Sequence, residues 1–362
     1  MGKVLILGGY GNFGKRIALA LTKKNISVVV AGRNKVKAEG LVATLPAGLA
    51  EAAAFDATKE LSSQLVKLRP AVVVNASGPF QTSNYDAAHT CIEHGVHYID
   101  LADGRDFVNG IAALDAQARE HNVAVISGAS TVPGLSSAVI EHYKAEFFDI
   151  ESLVFGISPG QKAERGLSTT QAIMSYVGKP LKPFSGDIHP AYGWQDIYRQ
   201  AYPELGRRWM ANCDIPDLDL LPLRYGIRSI RFSAGLELGF MHLGLWALSW
   251  GVRLGLPLNL RQHARALLKA SNWFNGLGSA NGGMHMILRG KDLQGKPHER
   301  HWFIVAKNGD GPQIPTIPAI VLAEKLVTSQ LAYRGATACV GLVTLEEYLH
   351  ELEGFAVTTY SS

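Results

Sequence analysis

The feature that most restricts the fold is a glycine-rich loop near the start of the chain. It follows an apolar run, Val4–Leu7, and precedes a helical pattern, Lys15–Lys24. The first glycine of such a loop permits a tight turn, the second lets a pyrophosphate approach the backbone, and the third lets helix and strand pack closely. The sequence therefore predicts a strand, a turn and a helix that hold a dinucleotide, with its diphosphate at the helix N-terminus. The loop residues expected to contact it are Gly9, Tyr10, Gly11, Asn12, Phe13 and Gly14.

The first third of the chain alternates short β-branched runs with helical patterns. Because the runs are apolar on both faces, they suit strands of a parallel sheet that helices cover on both sides. This alternation predicts an α/β fold with right-handed crossovers and a doubly wound sheet of strand order 3-2-1-4-5-6. The runs are Val4–Leu7, Val28–Ala31, Ala50–Phe55, Ala71–Asn75, His97–Leu101 and Val123–Ser127, and the helical patterns between them include Lys15–Lys24, Tyr85–His94 and Phe107–His121.

The regular alternation ends near residue 150, where a different architecture is expected. Ser152–Ser158 predicts a strand and Ser168–Val177 a helix. Gly283–Arg289 and His298–Ala306 predict a hairpin, since both arms alternate and the turn between them is polar and contains glycine. The second part of the chain is therefore expected to be α+β.

The length of 362 residues suits two domains, because one domain usually has about 100–200 residues. We expect a dinucleotide-binding domain over residues 1–130 and a mixed α+β domain for substrate binding or dimerisation over residues 131–314. Helical patterns in residues 315–362 are candidates for packing back on the first domain.

The end of the second predicted strand selects the cofactor. Enzymes that use NAD place an acidic residue there, about 20 residues beyond the glycines, to bind the ribose 2′-hydroxyl. This chain has Arg33 and Asn34 instead. Arg33 can stack on adenine and pair with a 2′-phosphate, a contact of roughly 1.5–3 kcal/mol. The sequence thus predicts a preference for NADP, unless Arg33 is only a solvated loop residue.

Two further strand ends are candidates for cofactor contacts. Asp56 follows the third strand, where it can lie beside the adenine, cap the helix over residues 58–67, or do both. Small residues after the fourth strand would let the ribose and nicotinamide approach the backbone, although a tight Gly-Pro turn alone explains them as well. These residues are Ala76, Ser77, Gly78, Pro79 and Phe80.

Together with later segments, these motifs resemble the saccharopine dehydrogenase-like family of NADP-binding Rossmann oxidoreductases. The later segments are Cys91–Asp100, Gly128–Gly134, Pro315–Ala319 and Gly341–Leu349. The resemblance implies that the first domain binds NADP(H), that a mixed second domain closes over it, and that the protein is a homodimer. It also implies hydride transfer to or from an imine at a C–N bond. Relatives that act on amino acids tend to have an acidic residue where this chain has Val132, so saccharopine itself is not implied as the substrate.

Hydride transfer needs a group that handles a proton, and the carboxyl ends of the strands are where it should lie. The candidates are Asp100, Tyr98 and Asp103, which follow or end the fifth strand with Arg105 close by. Asp100 could instead cap a loop or pair with Arg105. Tyr98 could belong to the core or pack against the cofactor, and Asp103 could be a helix N-cap.

Composition and charge exclude several classes of function. The net charge of +4 is spread thinly without a Lys/Arg block, which argues against nucleic-acid binding. Three widely separated cysteines and the absence of a secretory signal pattern favour a cytoplasmic protein without disulfides. His89, His94 and His97 do not share a helix face, so no metal site is expected.

The apolar segment Leu238–Val252 allows several interpretations. It is shorter than the ~20 residues that a spanning helix needs. Trp246 and Trp250 are four residues apart and share a helix face. The segment could be core, a dimer interface, the wall of a pocket for an apolar small-molecule substrate, or a peripheral membrane contact.

The leading hypothesis is an NADP(H)-dependent oxidoreductase that transfers hydride to or from an imine or carbonyl. The alternative is a non-catalytic NADP(H)-binding or membrane-associated module. Gly8, Gly11 and Gly14 also match the glycine spacing of short-chain reductases, but the Tyr-x-x-x-Lys pair of those enzymes does not occur in this chain.

Overall fold

The computed structural model describes residues 2–81, 83–164, 166–186 and 190–362. In this part of the chain, two compact units can be distinguished. Unit 1 comprises residues 1–138 and 313–351, and unit 2 comprises residues 139–312 and 352–362. That these units act as separate cofactor and substrate domains, with the bounds expected above, stays a prediction.

Unit 1 is built on a parallel sheet, which has seven strands within the described residues. The strand order is β13-β6-β5-β4-β1-β2-β3, so the predicted order 3-2-1-4-5-6 is confirmed. Every pairing is parallel; Val4 of the central strand, for example, lies between Val28 and Val72. The strands are β1 (Val4–Leu7), β2 (Val28–Gly32), β3 (Ala50–Ala54), β4 (Val72–Asn75), β5 (His97–Asp100), β6 (Ala124–Ser127) and β13 (Gly335–Ala338).

The expectation of six strands was wrong by one, because β13 extends the sheet beyond β6. Its sequence, Gly-Ala-Thr-Ala, lacks the β-branched run that marks the other strands. Pairing of Gly335 with Ala124 and of Thr337 with Ile126 makes this segment a strand. Tertiary pairing thus overrides a weak local propensity.

Helices cover both faces of this sheet. Leu61 and Leu65 from one helix and Cys91 and Ile92 from the next join Leu5 in a buried cluster on one face. The helices of this part of the chain are α1 (Asn12–Lys23), α2 (Lys35–Val42), α3 (Ala57–Leu68), α4 (Asp86–Glu93), α5 (Arg105–Gly110), α6 (Asp115–Glu120), α7 (Ser136–Tyr143), α12 (Ile317–Val327) and α13 (Leu345–His350).

The single helical pattern predicted over Phe107–His121 is interrupted in the structure. Helix α5 ends at Gly110, a 3₁₀ turn covers Ile111–Leu114, and α6 follows. A Cβ on Gly110 would lie 2.5 Å from the Tyr85 hydroxyl. Glycine at this position thus makes room for the Tyr85 hydroxyl, which a periodic pattern does not reveal.

Unit 2 is built on a mixed sheet, in which the described residues form seven strands in the order β14-β12-β11-β7-β10-β9-β8. Strand β10 runs parallel to β7, whereas the other pairs are antiparallel. The predicted hairpin is confirmed, and backbone amides of Gln294 and Lys296 donate to the Asp292 carboxylate at 2.9 and 2.8 Å in its turn. The strands are β7 (Phe147–Ser158), β8 (Tyr198–Tyr202), β9 (Gly206–Asn212), β10 (Ser229–Leu236), β11 (Gly282–Asp292), β12 (Pro297–Ala306) and β14 (Val357–Ser361).

Helices also pack on the mixed sheet. Met174, Trp194 and Leu260 lie at the centre of a buried cluster to which Trp246 contributes from its helix. None of the helices in the described residues is long and apolar enough to cross a bilayer. The helices of this unit are α8 (Leu167–Tyr176), α9 (Asp217–Tyr225), α10 (Gly239–Arg253) and α11 (Leu260–Asn272).

Candidate functional site

The glycine loop joins β1 to α1 as the sequence predicts. A Cβ on Gly14 would lie 2.3 Å from the carbonyl oxygen of Gly8, and a Cβ on Gly9 would lie 2.9 Å from that of Ile6. Gly9 and Gly14 are therefore required for close packing of helix and strand. Gly11 differs, because a Cβ there would meet only the Gly8 oxygen, at 3.0 Å, among the described atoms.

The first turn of α1 suits an anion. Its N-cap is Gly11, which has no side chain to occupy the N–H groups of the turn. No acidic residue lies in this turn, which consists of Asn12, Phe13, Gly14 and Lys15. Arg16 follows and donates to the backbone and side-chain oxygens of Asn12. The partial positive charge of the helix N-terminus is thus unopposed by a carboxylate of its own first turn.

Tyr10 links the glycine loop to the end of β2. Its ring lies against Gly32, where a Cβ would come within 2.4 Å of the ring. The backbone amide of Asn34 donates to the Tyr10 hydroxyl at 3.0 Å, and the Asn34 side chain accepts from the Lys37 amide as the N-cap of α2. Arg33, between these residues, is exposed. Sequence reasoning did not find the role of Tyr10 in orienting this turn.

Asp56 is the N-cap of α3. Its carboxylate accepts from the backbone amide of Thr58 at 3.1 Å and from the Thr58 hydroxyl at 2.8 Å. These hydrogen bonds lower the pKa of Asp56, and the charges of Lys59 and Arg33 lower it further. The carboxylate therefore stays ionised near Arg33, and its contact with adenine stays a prediction.

The loop after β4 lies directly against the glycine loop. A Cβ on Gly8 would be 3.2 Å from the carbonyl oxygen of Ala76, and the Ala76 amide donates to Leu7 at 2.9 Å. The Asn75 side chain turns this loop by accepting from the backbone amide of Ser77 at 3.1 Å. The structure thus brings together two of the segments that the sequence assigned to the cofactor. Gly78 and Pro79 continue this loop to Phe80, whose ring is buried 5.4 Å from that of Phe107.

A cavity of about 230 Å³ borders the loop after β4, and none of Gly9–Gly14 lines it. Leu7, Asn75 and Ser77 contribute to it from the ends of β1 and β4, and Thr58 and Asp86 contribute from the first turns of α3 and α4. The strand order reverses between β1 and β4, and ligands of open α/β sheets bind at such a topological switch point.

Asp100 is completely buried at the end of β5. Its Oδ1 accepts from the amides of Ala102 and Gly128 at 3.0 and 2.9 Å and from the Ser127 hydroxyl at 2.9 Å. Its Oδ2 is buried and has no hydrogen-bond partner among the described residues. Burial raises the pKa of Asp100 to about 6, although these hydrogen bonds act to lower it. The carboxyl therefore joins the ends of β5 and β6, and no part of it is exposed to solvent.

Tyr98 is buried beside this carboxyl, and its hydroxyl accepts from the Asn75 amide at 3.1 Å. Burial and the charge of Asp100 raise the pKa of Tyr98 well above its usual value. A neutral, buried tyrosine of this kind links β4 to β5.

Asp103 is half-buried in the loop after β5. It accepts from the Gln81 amide at 2.8 Å, and burial raises the pKa of its carboxyl. It is not the N-cap of α5, because Gly104 holds that position. Asp103 is therefore the candidate of the three that retains exposed surface beside the loop after β4.

Sequence reasoning missed Gln81, Ser127 and Gly128 as partners of the acidic candidates. Gly128 has a φ of +76°, and its place directly after β6 was a usable signal for a turn there. No group of three or more His, Cys, Asp or Glu residues among the described residues is arranged to hold a metal ion.

Comparisons with known proteins agree with this geometry. The model of the family described as saccharopine dehydrogenase NADP binding domain matches residues 4–126. No curated protein sequence matches the chain.

Among solved structures, the fold is similar to apo saccharopine dehydrogenase (L-Glu forming) from Saccharomyces cerevisiae. The TM-score is 0.67 at 12% identity, with 100% of both chains covered. An amine dehydrogenase from Mycobacterium smegmatis gives a TM-score of 0.50 at 11% identity, covering 94% of this chain and 95% of that one. The resemblance to saccharopine dehydrogenase-like proteins is thus borne out by the family model over residues 4–126 and by the fold over the whole chain.

Proposed function

We propose that the protein is an NADP(H)-dependent oxidoreductase that transfers hydride to or from an imine or carbonyl of a small-molecule substrate. The observation that carries the proposal is the packing of the glycine loop against the loop after β4, beside a cavity at the switch point between β1 and β4. The match to an NADP-binding domain family and the dehydrogenase names of the similar structures support it.

The residues of the loop fit a dinucleotide. Gly11 leaves room for the diphosphate to approach the backbone, and the first turn of α1 offers its N–H groups without a competing carboxylate. When bound, NADP(H) supplies the hydride donor or acceptor. Ala76 and Ser77 would border its ribose and nicotinamide side, since their loop touches Gly8.

Arg33 supports the choice of NADP over NAD. It is exposed at the end of β2, where NAD enzymes place an acid. Tyr10 and the N-cap Asn34 fix the backbone on either side of Arg33. A guanidinium held at this turn can bind a 2′-phosphate through charge-assisted hydrogen bonds.

Asp103 is the candidate for proton transfer that fits best. The residue is half-buried, and the raised pKa of its carboxyl keeps the proton to higher pH than that of a free aspartate. Asp100 and Tyr98 would act as positioning residues, because they are buried and connect β4, β5 and β6.

The first prediction concerns Arg33 and is tested by calorimetric titration of the full chain with NADPH and NADH. Arg33→Ala should lose the preference for NADPH by about tenfold or more, because a charge-assisted contact of roughly 1.5–3 kcal/mol disappears. Lys67→Ala, which removes an exposed cation at the far end of α3, is the matched control and should retain the preference. An unchanged preference in Arg33→Ala would remove Arg33 from the site.

A second candidate function is binding of NADP(H) without turnover. It is favoured by the burial of Asp100 and Tyr98, which leaves the half-buried Asp103 as the candidate of the three with some exposed surface. NADPH consumption with a panel of imines and keto acids distinguishes the two. Turnover supports the oxidoreductase, whereas tight binding without turnover of any member supports the binding protein.

We further propose a homodimer in the cytoplasm. Cys91, Cys213 and Cys339 are buried thiols rather than disulfide partners, which suits a reducing compartment. Sedimentation equilibrium of the full chain tests the dimer, and a single species with the 39.1 kDa mass of one chain would contradict it.

A further inference from the structure

Helices α10 and α11 follow one another in the chain, and the segment that connects them exposes large apolar side chains. We call residues 250–258 the tip. Leu254 is 80% exposed and Leu256 is 55% exposed. Trp250 and Leu258, which flank them, are also exposed. Large apolar groups that cluster at one exposed place usually mark a surface that binds something.

The exposed side of α10 leads directly into the tip and is apolar as well. Phe240, Gly244, Ala247 and Trp250 are its exposed members, and their spacing of three to four residues places them on one side of the helix. The helix contains no charged residue before Arg253. A helix without a polar face is normally covered by protein or by lipid.

Charge identifies the kind of surface that fits. The chain has 31 acidic residues, yet the sequence contains no Asp or Glu between Glu237 and Asp292. The same stretch carries Arg253 in the tip and Arg265 and Lys269 on α11, all of them exposed. This charge favours a partner surface that is anionic as well as apolar.

Arg253 is held next to the apolar tip by specific contacts. Its guanidinium stacks on the rings of Tyr192 and Trp250, with distances to the ring centres of 3.8 and 4.8 Å. It also donates to the Gln195 side chain at 2.6 Å. A tryptophan paired with an arginine beside exposed leucines is the combination found where proteins meet the headgroup region of a bilayer.

We propose that the tip and the exposed side of α10 dock on an anionic lipid surface, with the leucines entering the acyl boundary and the cations meeting the headgroups. A second copy of the chain fits less well. A two-fold dimer brings the same patch of each subunit together, which would oppose the cations of one copy to those of the other, and residues 238–291 contain no carboxylate to offset them. The proposal does not depend on nucleotide binding.

The test is cosedimentation of the full chain with vesicles of phosphatidylcholine alone and of phosphatidylcholine with phosphatidylglycerol. Binding should require the anionic lipid and weaken as salt rises. Leu254→Ser/Leu256→Ser should lower the partition coefficient by about tenfold or more, because the two serine side chains no longer insert at the acyl boundary of the bilayer. The control is Leu223→Ser/Leu293→Ser. These leucines belong to unit 2 but lie outside the tip, and they are 88% and 65% exposed, so this variant should retain binding.

A second pair of variants tests whether the cations of α11 contribute to binding. Arg265→Gln/Lys269→Gln should weaken binding to anionic vesicles by about tenfold or more, since each cation near a charged surface contributes several-fold. Arg207→Gln/Lys296→Gln removes two exposed cations elsewhere in unit 2 and should change little. Absence of binding to anionic vesicles would overturn the proposal. So would equal losses in test and control pairs, or self-association that depends on Leu254 and Leu256.

Discussion

The two sheets of the molecule hold their polar side chains in different places. In the parallel sheet of unit 1, Asn75 and Asp100 lie at the carboxyl ends of their strands. In the mixed sheet of unit 2, His285 lies within β11, where its Nδ1 and the Tyr202 hydroxyl are hydrogen-bonded at 2.8 Å. Burial lowers the pKa of His285 to about 3, so its ring is neutral.

The difference follows from strand direction. Parallel strands bring all their carboxyl ends to one edge, so residues that are separate in sequence meet there and can form a site. Strands β11 and β7 run antiparallel and share no such edge, and a polar residue within them must find its partners inside the sheet. Polar residues that end parallel strands are therefore better candidates for function than equally buried ones within a mixed sheet.

The largest effect that would sharpen this comparison comes from Asp100. Because its pKa is raised from 3.8 to about 6, the folded state holds the proton more tightly than the unfolded state. The resulting stabilisation is present below about pH 4 and is lost as the pH rises through about 6. Relative to Asp100→Asn, the wild type should therefore lose about 3 kcal/mol of unfolding free energy over this range.

Urea denaturation at a series of pH values measures this difference. Asp56→Asn is the comparison variant, because the pKa of Asp56 is lowered and its stabilisation appears as the pH rises. If the unfolding free energies of wild type and Asp100→Asn change in parallel with pH, the Asp100 carboxyl does not titrate as its burial requires.

The next effect concerns the glycine loop. Gly14→Ala should lower the unfolding free energy by about 1–3 kcal/mol, because the new Cβ would lie 2.3 Å from the Gly8 oxygen and the backbone cannot move away freely. In Gly40→Ala the new Cβ, within α2, meets no described atom within 4 Å, so this variant should gain about 0.5–1 kcal/mol. Thermal unfolding compares the two, and a Gly14→Ala as stable as the wild type would contradict the packing described here.

The sequence predicted the parallel sheet because its central strands are continuous apolar runs, as in Val28–Ala31. It could not predict β13, whose four small residues become a strand through pairing with β6. The glycine loop was predicted from its pattern, because Gly9 and Gly14 pack against residues that are close to them in sequence. The burial of Asp100 was not predicted, because its partners Ser127 and Gly128, at the end of β6, lie 27 and 28 residues further along the chain.

The smallest expected effect on stability comes from a substitution in the mixed sheet of unit 2. Tyr202→Phe should lower the unfolding free energy by about 1 kcal/mol, because it leaves Nδ1 of the buried His285 without this partner. NADPH titration should be unchanged, since these residues belong to the sheet interior. Tyr360→Phe, which removes an exposed hydroxyl bonded to Glu204, is the control and should be nearly neutral. A loss of NADPH affinity in Tyr202→Phe would break the distinction between the two sheets.

The central claim, that the glycine loop binds the diphosphate of NADP(H), is tested most directly by calorimetric titration of wild type and Gly11→Ala with NADPH. Gly11 has a φ of −75°, which alanine also adopts, and the new Cβ would meet the Gly8 carbonyl oxygen at 3.0 Å, within the loop assigned to the diphosphate. We expect saturable binding to the wild type and at least about tenfold weaker binding to Gly11→Ala, while the melting temperature of the unliganded variant, measured alongside, shows that it is folded. No heat of binding with the wild type, or equal affinity in the two proteins, would contradict it.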